Sequence, residues 1–216
     1  MVGRSALEPA LSPALLMALL AAAPADAGGV LRSLEEAGRG LQTMQAAFVE
    51  TKVLVLLDEK AESRGSVILQ VPGRLRWNYD APSPGTMIVR DGKYVRYFPA
   101  SKQVFRGAAK GEADLLVGFG PGAAGLGRKY EVTLVGEEAV GGRAAHVLDL
   151  KPRAPAGLFS SIRLWVDAER AVPVQTKLTE PTGDHTTLRF ERVRLNERLP
   201  AGAFDLKLPG DVVEVK

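Results

Sequence analysis

Cysteine is absent from the 216 residues. Its absence excludes disulfides, thiol catalysis, Cys-ligated zinc and a lipid-modified N-terminal cysteine. Histidine is scarce: His146 and His185 are the only two, and no metal-ligand spacing connects them. The reading is therefore no metal site and no cofactor. Charge of one sign is also lacking. Lys and Arg total 28 against 25 Asp and Glu, a net charge of +3. That balance does not suit a nucleic-acid binder, although the pI of about 9.2 is basic. Gly 23 and Pro 14 are too few for a collagen-like or low-complexity chain. Nucleophile motifs are missing too. Ser160-Ser161 lies outside any Gly-x-Ser-x-Gly elbow, and Gly118-Phe119-Gly120-Pro121-Gly122 lacks the Gly-Lys-Ser/Thr ending of a phosphate loop. No residue is singled out as catalytic, and the chain is read as a non-enzyme.

The composition that remains is that of a globular domain, 46% apolar and 25% charged. The longest apolar run, Ala14 to Ala23, is well short of the roughly 20 residues a membrane-spanning helix needs. It follows Arg4 and ends at Pro24-Ala25-Asp26-Ala27, a small-x-small pattern. Charged start, apolar middle and small-residue end make residues 1–27 a secretory signal peptide. Residues 28–216 are then a single exported, soluble domain that rests on its hydrophobic core.

Val30, Leu34, Ala37, Leu41, Met44 and Phe48 recur at helical spacing and predict one amphipathic helix. Beyond it, β-rich segments alternate with turns. Strands are expected at 49–57, 63–71, 74–80, 86–90, 93–98, 102–106, 130–136, 143–151, 159–167, 172–180 and 185–195. Asp91-Gly92 between two apolar strands is a strong hairpin signal. Many strands joined by tight turns mean an antiparallel sheet, curled into a barrel or folded as a sandwich.

Alternation assigns faces. Leu75, Trp77 and Tyr79 lie opposite Arg74, Arg76 and Asn78. Val67, Leu69 and Val71 share a face, as do Ile162, Leu164 and Val166, opposite Arg163, Trp165 and Asp167. Leu188 and Phe190 oppose Arg189 and Glu191. The sheet thus has one apolar and one solvated face. Val53 to Leu57 is apolar on both faces, so it is either covered on both sides or borders a greasy opening. Arg74, Arg76, Arg90, Arg96 and Arg106 form a basic stretch, read as a solvated outer face or as a surface for an acidic partner or the anionic headgroups of a membrane. The glycine-rich stretch 107–128 is a surface loop or a binding loop, with a short helix expected over Glu112 to Val117. A curled sheet of this size needs a plug, a lid or a ligand, and its aliphatic lining suits an apolar guest. A sandwich would bury the same residues against one another.

Several segments together resemble the periplasmic lipoprotein carrier family, the LolA-like proteins. They are Leu41 to Glu50, Gly65 to Tyr79 followed by Pro82, Ile88 to Lys93 leading to Tyr97-Phe98-Pro99, and Phe204-Asp205-Leu206-Lys207-Leu208-Pro209-Gly210. Pro72-Gly73-Arg74-Leu75-Arg76-Trp77 with Tyr79 and Pro82 is the most specific part. The resemblance implies a mainly β fold, an unclosed antiparallel barrel of about eleven strands with an α-helical lid. It implies a periplasmic, monomeric carrier that holds the acyl chains of lipoproteins in an apolar cavity. Such a carrier takes its cargo from an inner-membrane transporter and passes it to an outer-membrane acceptor.

By correspondence, Val67, Leu69, Leu75, Trp77, Tyr79, Val89, Ile162, Leu164, Val166, Leu188 and Phe190 line the cavity. Val30, Leu34, Leu41 and Met44 belong to the lid. Well-studied members carry an Arg before the motif proline; here that position is Val71, so Arg74 or Arg76 takes over lid control or partner contact, or lid control differs. Arg96 also replaces an aromatic residue common after the hairpin. Two readings stand beside the lipoprotein carrier: a free-lipid carrier, and an apolar-ligand sensor or regulatory domain of the same fold.

Overall fold

The computed structural model describes residues 26–109, 116–154 and 158–215. Nearly all of the expected signal segment, and Glu112 to Leu115 of the expected short helix, lie outside them. Helix α1 spans Ala27–Arg39 and is capped by Asp26, whose Oδ1 accepts from the Gly29 amide at 2.6 Å. Processing after Ala27 would remove this cap.

Twelve strands form one sheet. They are β1 (Thr43–Leu54), β2 (Glu59–Gln70), β3 (Arg74–Tyr79), β4 (Gly85–Arg90), β5 (Lys93–Phe98) and β6 (Gln103–Ala108). After the crossover come β7 (Tyr130–Val140), β8 (Arg143–Pro152), β9 (Ser161–Asp167), β10 (Pro173–Thr179), β11 (His185–Leu195) and β12 (Val213–Val215). The order across the sheet is β12-β6-β5-β4-β3-β2-β1-β11-β10-β9-β8-β7. Every pairing is antiparallel except β12 on β6. β12 and β7 are the two ends of the sheet and do not pair, so the barrel is unclosed, as the resemblance implies.

The expected helix is too long. Its stripe holds through Val30, Leu34 and Ala37, but α1 stops at Arg39 and Gly40 closes it with an N–H to Glu36 O. Met44 and Phe48 are on β1, and Leu41 is in the connection. The reason is visible in the spacing: positions four apart share a face in a strand as well as in a helix. Hydrogen bonding to β2 on one side and β11 on the other decides for the strand. Met44 is therefore a floor residue of the sheet and not part of the lid helix.

Val53 to Leu57 is corrected as well. β1 ends at Leu54, and Val55–Leu57 form a 3-10 turn that leads into β2. Neither cover exists at this tip, where Leu56 is 85% and Leu57 65% exposed. The twelfth strand, β12, carries no alternation long enough to see. It is reached by an arm over 196–212 that crosses the outer face: Arg76 Nη1 donates to the carbonyls of Asp205 (2.9 Å) and Ala203 (3.3 Å). With the arm in place, Ile88 and Val104 on that outer face are buried.

At the centre, β1, β2 and β3 approach too closely for any side chain at Gly65. A Cβ there would stand 1.9 Å from the Asn78 carbonyl oxygen and 2.8 Å from Phe48 Cζ. This explains the glycine in a strand interior. The outer face is not uniformly solvated. Trp165 packs there with Ala145, Val147 and Val174, and its Nε1 donates to Glu138 Oε2 at 2.8 Å.

Candidate functional site: a lidded apolar face

The concave face is built from the pleat. In register across the sheet, Val67 faces Trp77 and Leu69 faces Leu75. Leu75 in turn faces Val89, and Trp77 faces Met87. Phe48 pairs with Phe190 on the other side of β1. Further round, Leu148 faces Leu164 and Leu150 faces Ile162. Register places the eleven expected residues on the concave side of the sheet, where Leu69, Leu75 and Val89 border the remaining cavity and the other eight pack against the covers and one another. Val67, Leu75, Trp77, Ile162, Leu164, Val166, Leu188 and Phe190 are buried, while Leu69, Tyr79 and Val89 are partly so.

Two covers divide this face. α1 lies over the β7–β10 side, where Val30 and Leu34 join Leu148, Leu150, Ile162, Leu164, Val166 and Leu178. The crossover segment covers the β1–β4 side, with Leu116 and Phe119 packed among Leu41, Met44, Phe48, Leu75 and Trp77. Phe119 and Phe190 meet edge to face at 5.1 Å between ring centres. Within the crossover, Gly120–Ala123 form a 3-10 turn and Leu126–Lys129 a single helical turn, α2. The sequence marked this stretch by its glycines, two of which sit at close approaches: a Cβ on Gly118 (φ 85°) would stand 2.8 Å from Pro173 Cγ, and one on Gly120 (φ 51°) 3.2 Å from Val71 Cγ2. The facing helix is as closely seated. A Cβ on Gly38 of α1 would sit 2.7 Å from Gly120 O and 3.0 Å from Ala123 Cβ.

Between cover and floor remains a cavity of about 300 Å³, lined by Leu69, Val71, Leu75, Val89, Leu116, Phe119 and Pro121, with Arg74 at its edge. Val71 is thus a wall residue, and its Cγ2 would lie 3.2 Å from a Cβ on Gly120. Arg74 and Arg76 part company. Arg74 reaches the cavity rim. Both belong to the outer side of β3 by alternation, and Arg76, further along the strand, is held there by the C-terminal arm and by Asn78 Oδ1 at 2.9 Å.

The polar groups on the concave face went unseen in the sequence. Tyr79 donates its hydroxyl to Glu50 Oε2 at 2.9 Å. Burial pushes the Glu50 carboxyl above its ordinary range, against the lowering effect of that bond and of Lys52 and Arg96. Burial first, and Glu50 second, push the Tyr79 phenol up as well. Phe48, Trp77 and Tyr79 form an aromatic group, with Phe48 4.6 Å from Trp77 and 5.2 Å from Tyr79 between ring centres. Thr176 Oγ1 is buried without a hydrogen-bond partner among the described residues. Among the described residues no group of three or more His, Asp or Glu side chains is placed to hold a metal.

An unclosed twelve-stranded sheet with a helix-covered apolar concave face defines the class of this protein. Residues 39–207 match the family described as outer membrane lipoprotein carrier protein LolA, and the chain belongs to that family. It is 30% identical over 197 residues to the outer-membrane lipoprotein carrier protein of Chromobacterium violaceum, covering 88% of this chain and 89% of that one. The carrier protein of Azotobacter vinelandii is 29% identical over 174 residues, covering 78% and 79%. The fold is shared with solved structures of low sequence identity. Lipoprotein LppX of Mycobacterium tuberculosis has a TM-score of 0.53 at 14% identity, covering 80% of this chain and 98% of LppX. MucB, solved in the Pseudomonas aeruginosa MucA/MucB complex, has a TM-score of 0.54 at 21% identity, covering 88% of this chain and 64% of that one.

Proposed function

We propose that this chain is a periplasmic carrier that binds the acyl chains of lipoproteins on its concave face and moves them from the inner to the outer membrane. The observation that carries the reading is the lidded apolar face. Hydrocarbon lines both floor and cover, and the two covering elements meet by van der Waals packing at Gly38 and Gly120 and by one hydrogen bond, from the Gly125 amide to Glu35 Oε1 at 3.1 Å. Each acyl methylene costs about 0.8 kcal/mol in water, so a chain in transit needs a dry place to lie. The 300 Å³ cavity is the closed form's remnant of that place. Displacing α1 and residues 116–123 would expose the rest of the face, from β4 round to β9. The wall residue Val71 cannot tie the cover down by hydrogen bonds, so opening exchanges apolar contact with the lid for apolar contact with the ligand. Export by residues 1–27, a monomeric state, and an inner-membrane donor and outer-membrane acceptor belong to the same proposal. The work described needs no cofactor and no catalytic group.

The test is native mass spectrometry of the protein purified from the periplasm of its own host, with lipid extraction of whatever is bound. Acylated lipoproteins should co-purify, and Leu75→Glu should diminish them. Free lipids alone would favour the free-lipid carrier or sensor. An empty protein that takes up no acyl ligand would overturn the reading.

A further inference from the structure

One wing of the concave face has no apolar cover among the described residues. On β4, β5 and β6, Met87, Tyr94, Arg96, Phe98 and Phe105 bound an open hollow of about 350 Å³. Register puts them on the cavity side: Met87 faces Arg96, Arg96 faces Phe105, and Met87 also faces Trp77. The shelf is therefore the lateral continuation of the lidded face. Its rings are ordered, with Phe98 and Phe105 edge to face at 5.8 Å and the Arg96 guanidinium 5.8 Å from the Phe98 ring centre. Phe98 is 36% exposed.

The charge on this shelf is one-sided. Arg96 makes no ion pair or hydrogen bond among the described residues, whereas Arg90 and Arg106 on the outer face of the same hairpins pair with Asp91 and Glu214. Glu50 is the carboxylate whose charge Arg96 feels. It is engaged by the Tyr79 hydroxyl and has Lys52 beside it on its own strand, so it leaves Arg96 unpaired. A guanidinium held against aromatic rings at the edge of a hydrocarbon-binding face fits an amphiphile whose acyl chain lies on the shelf and whose head is an anion. Phosphate oxygens match the planar N–H fork bidentately, as a carboxylate also can, and the choice between the two is made by the test below.

We propose that the Arg96 shelf binds the phosphate of a phospholipid whose acyl chain lies along Met87, Phe98 and Phe105 into the concave face. The proposal rests on reading that face as an acyl-binding surface and adds a ligand class, since a lipoprotein's glyceryl anchor has no phosphate. Arg96 then sets specificity by head group, while the hydrocarbon supplies most of the affinity.

Calorimetric titration with three probes of equal chain length tests it: lauroyl lysophosphatidylglycerol, monolaurin and laurate. The wild-type protein should bind the phospholipid about tenfold tighter than monolaurin, the scale of one charge-assisted hydrogen-bonding contact. Arg96→Gln should bring the two to parity by weakening only the phospholipid, and Arg96→Lys should restore part of the difference. The unchanged monolaurin affinity serves as the folding control. Parity in the wild-type protein, or a preference that survives Arg96→Gln, overturns the proposal while leaving the acyl carrier intact. Laurate binding as tightly as the phospholipid overturns the phosphate assignment. Failure to bind any of the three overturns the carrier reading itself.

Discussion

Tyr79 and Glu50, two strands apart on the concave face, are joined by a 2.9 Å hydrogen bond that places a carboxylate among aromatic rings. Burial raises the Glu50 pKa above its ordinary 4.5. The folded protein therefore holds this proton more tightly than the unfolded chain. For this group, stability is greatest below the unfolded value and falls as pH rises through the folded one; above that it stays low. Glu50→Gln keeps an acceptor for the Tyr79 hydroxyl and removes the ionisation. We expect a higher melting temperature than wild type at pH 7 and no gain at pH 4. Thermal scans at both pH values check this; an equal shift at both would mean that ionisation is not the cause.

Asp167 works in the opposite direction. Its side chain is buried at the end of β9. Burial would raise its pKa, but Arg143 and the amides of Arg170 (2.8 Å) and Glu169 (3.0 Å) outweigh it and hold the carboxyl below the usual range. The stability contributed is present above the unfolded pKa near 3.8 and lost as pH falls through the lower folded value. Asp167→Asn should cost about 2–3 kcal/mol at pH 7, since it breaks a charge-assisted contact and strands part of a buried network. Urea melts at pH 7 and pH 3 should show the mutant's deficit shrinking in acid.

These two carboxylates mark the limit of what is legible in the sequence. The apolar floor is readable from alternation, which fixes the face of each strand residue, while the register between strands is set by pairing. The end of α1 is not readable, since Leu41, Met44 and Phe48 fit periods of 3.6 and 2 alike, and only pairing with both β2 and β11 decides between them. Nothing in the sequence around Glu50 or Asp167 sets them apart from the other acids. Their partners lie 29 and 24 residues away in sequence and meet them only across the folded sheet. The bulge that sets Arg192 and Val193 of β11 against Ala46 leaves no local sign either.

The Val55–Leu57 tip offers a contrast between hydrophobicity and burial. Leu56 and Leu57 touch little of the core, so their replacement removes few contacts. Leu56→Ser with Leu57→Ser should change stability by no more than about 0.5 kcal/mol, as at other exposed positions away from caps and networks. Phe48→Ala, by comparison, should cost about 3–5 kcal/mol, because its ring is buried against Trp77 and Tyr79. Denaturant midpoints for the two variants should differ accordingly; a large loss from the tip pair would show that the tip packs against the fold.

Gly38 tests how the cover is seated. In a helix interior, Gly→Ala alone is favourable by about 1 kcal/mol. Here the new Cβ would meet a backbone oxygen, Gly120 O, at 2.7 Å, and that atom cannot swing aside as a side-chain end would. Either α1 or the 120–123 turn must move outward, and both cover the apolar face. We therefore expect Gly38→Ala to destabilise the protein by about 1–2 kcal/mol despite its better helix propensity, seen as a lower melting temperature. It should also raise the binding of an environment-sensitive hydrophobic dye, because parted covers expose the floor around Leu75 and Trp77. Gly40→Ala, just beyond the helix, meets only Ala37 O at 3.8 Å and should do neither. If Gly38→Ala stabilised the protein without added dye binding, the approach would be relaxed rather than tight, and the cover would not be set by this contact.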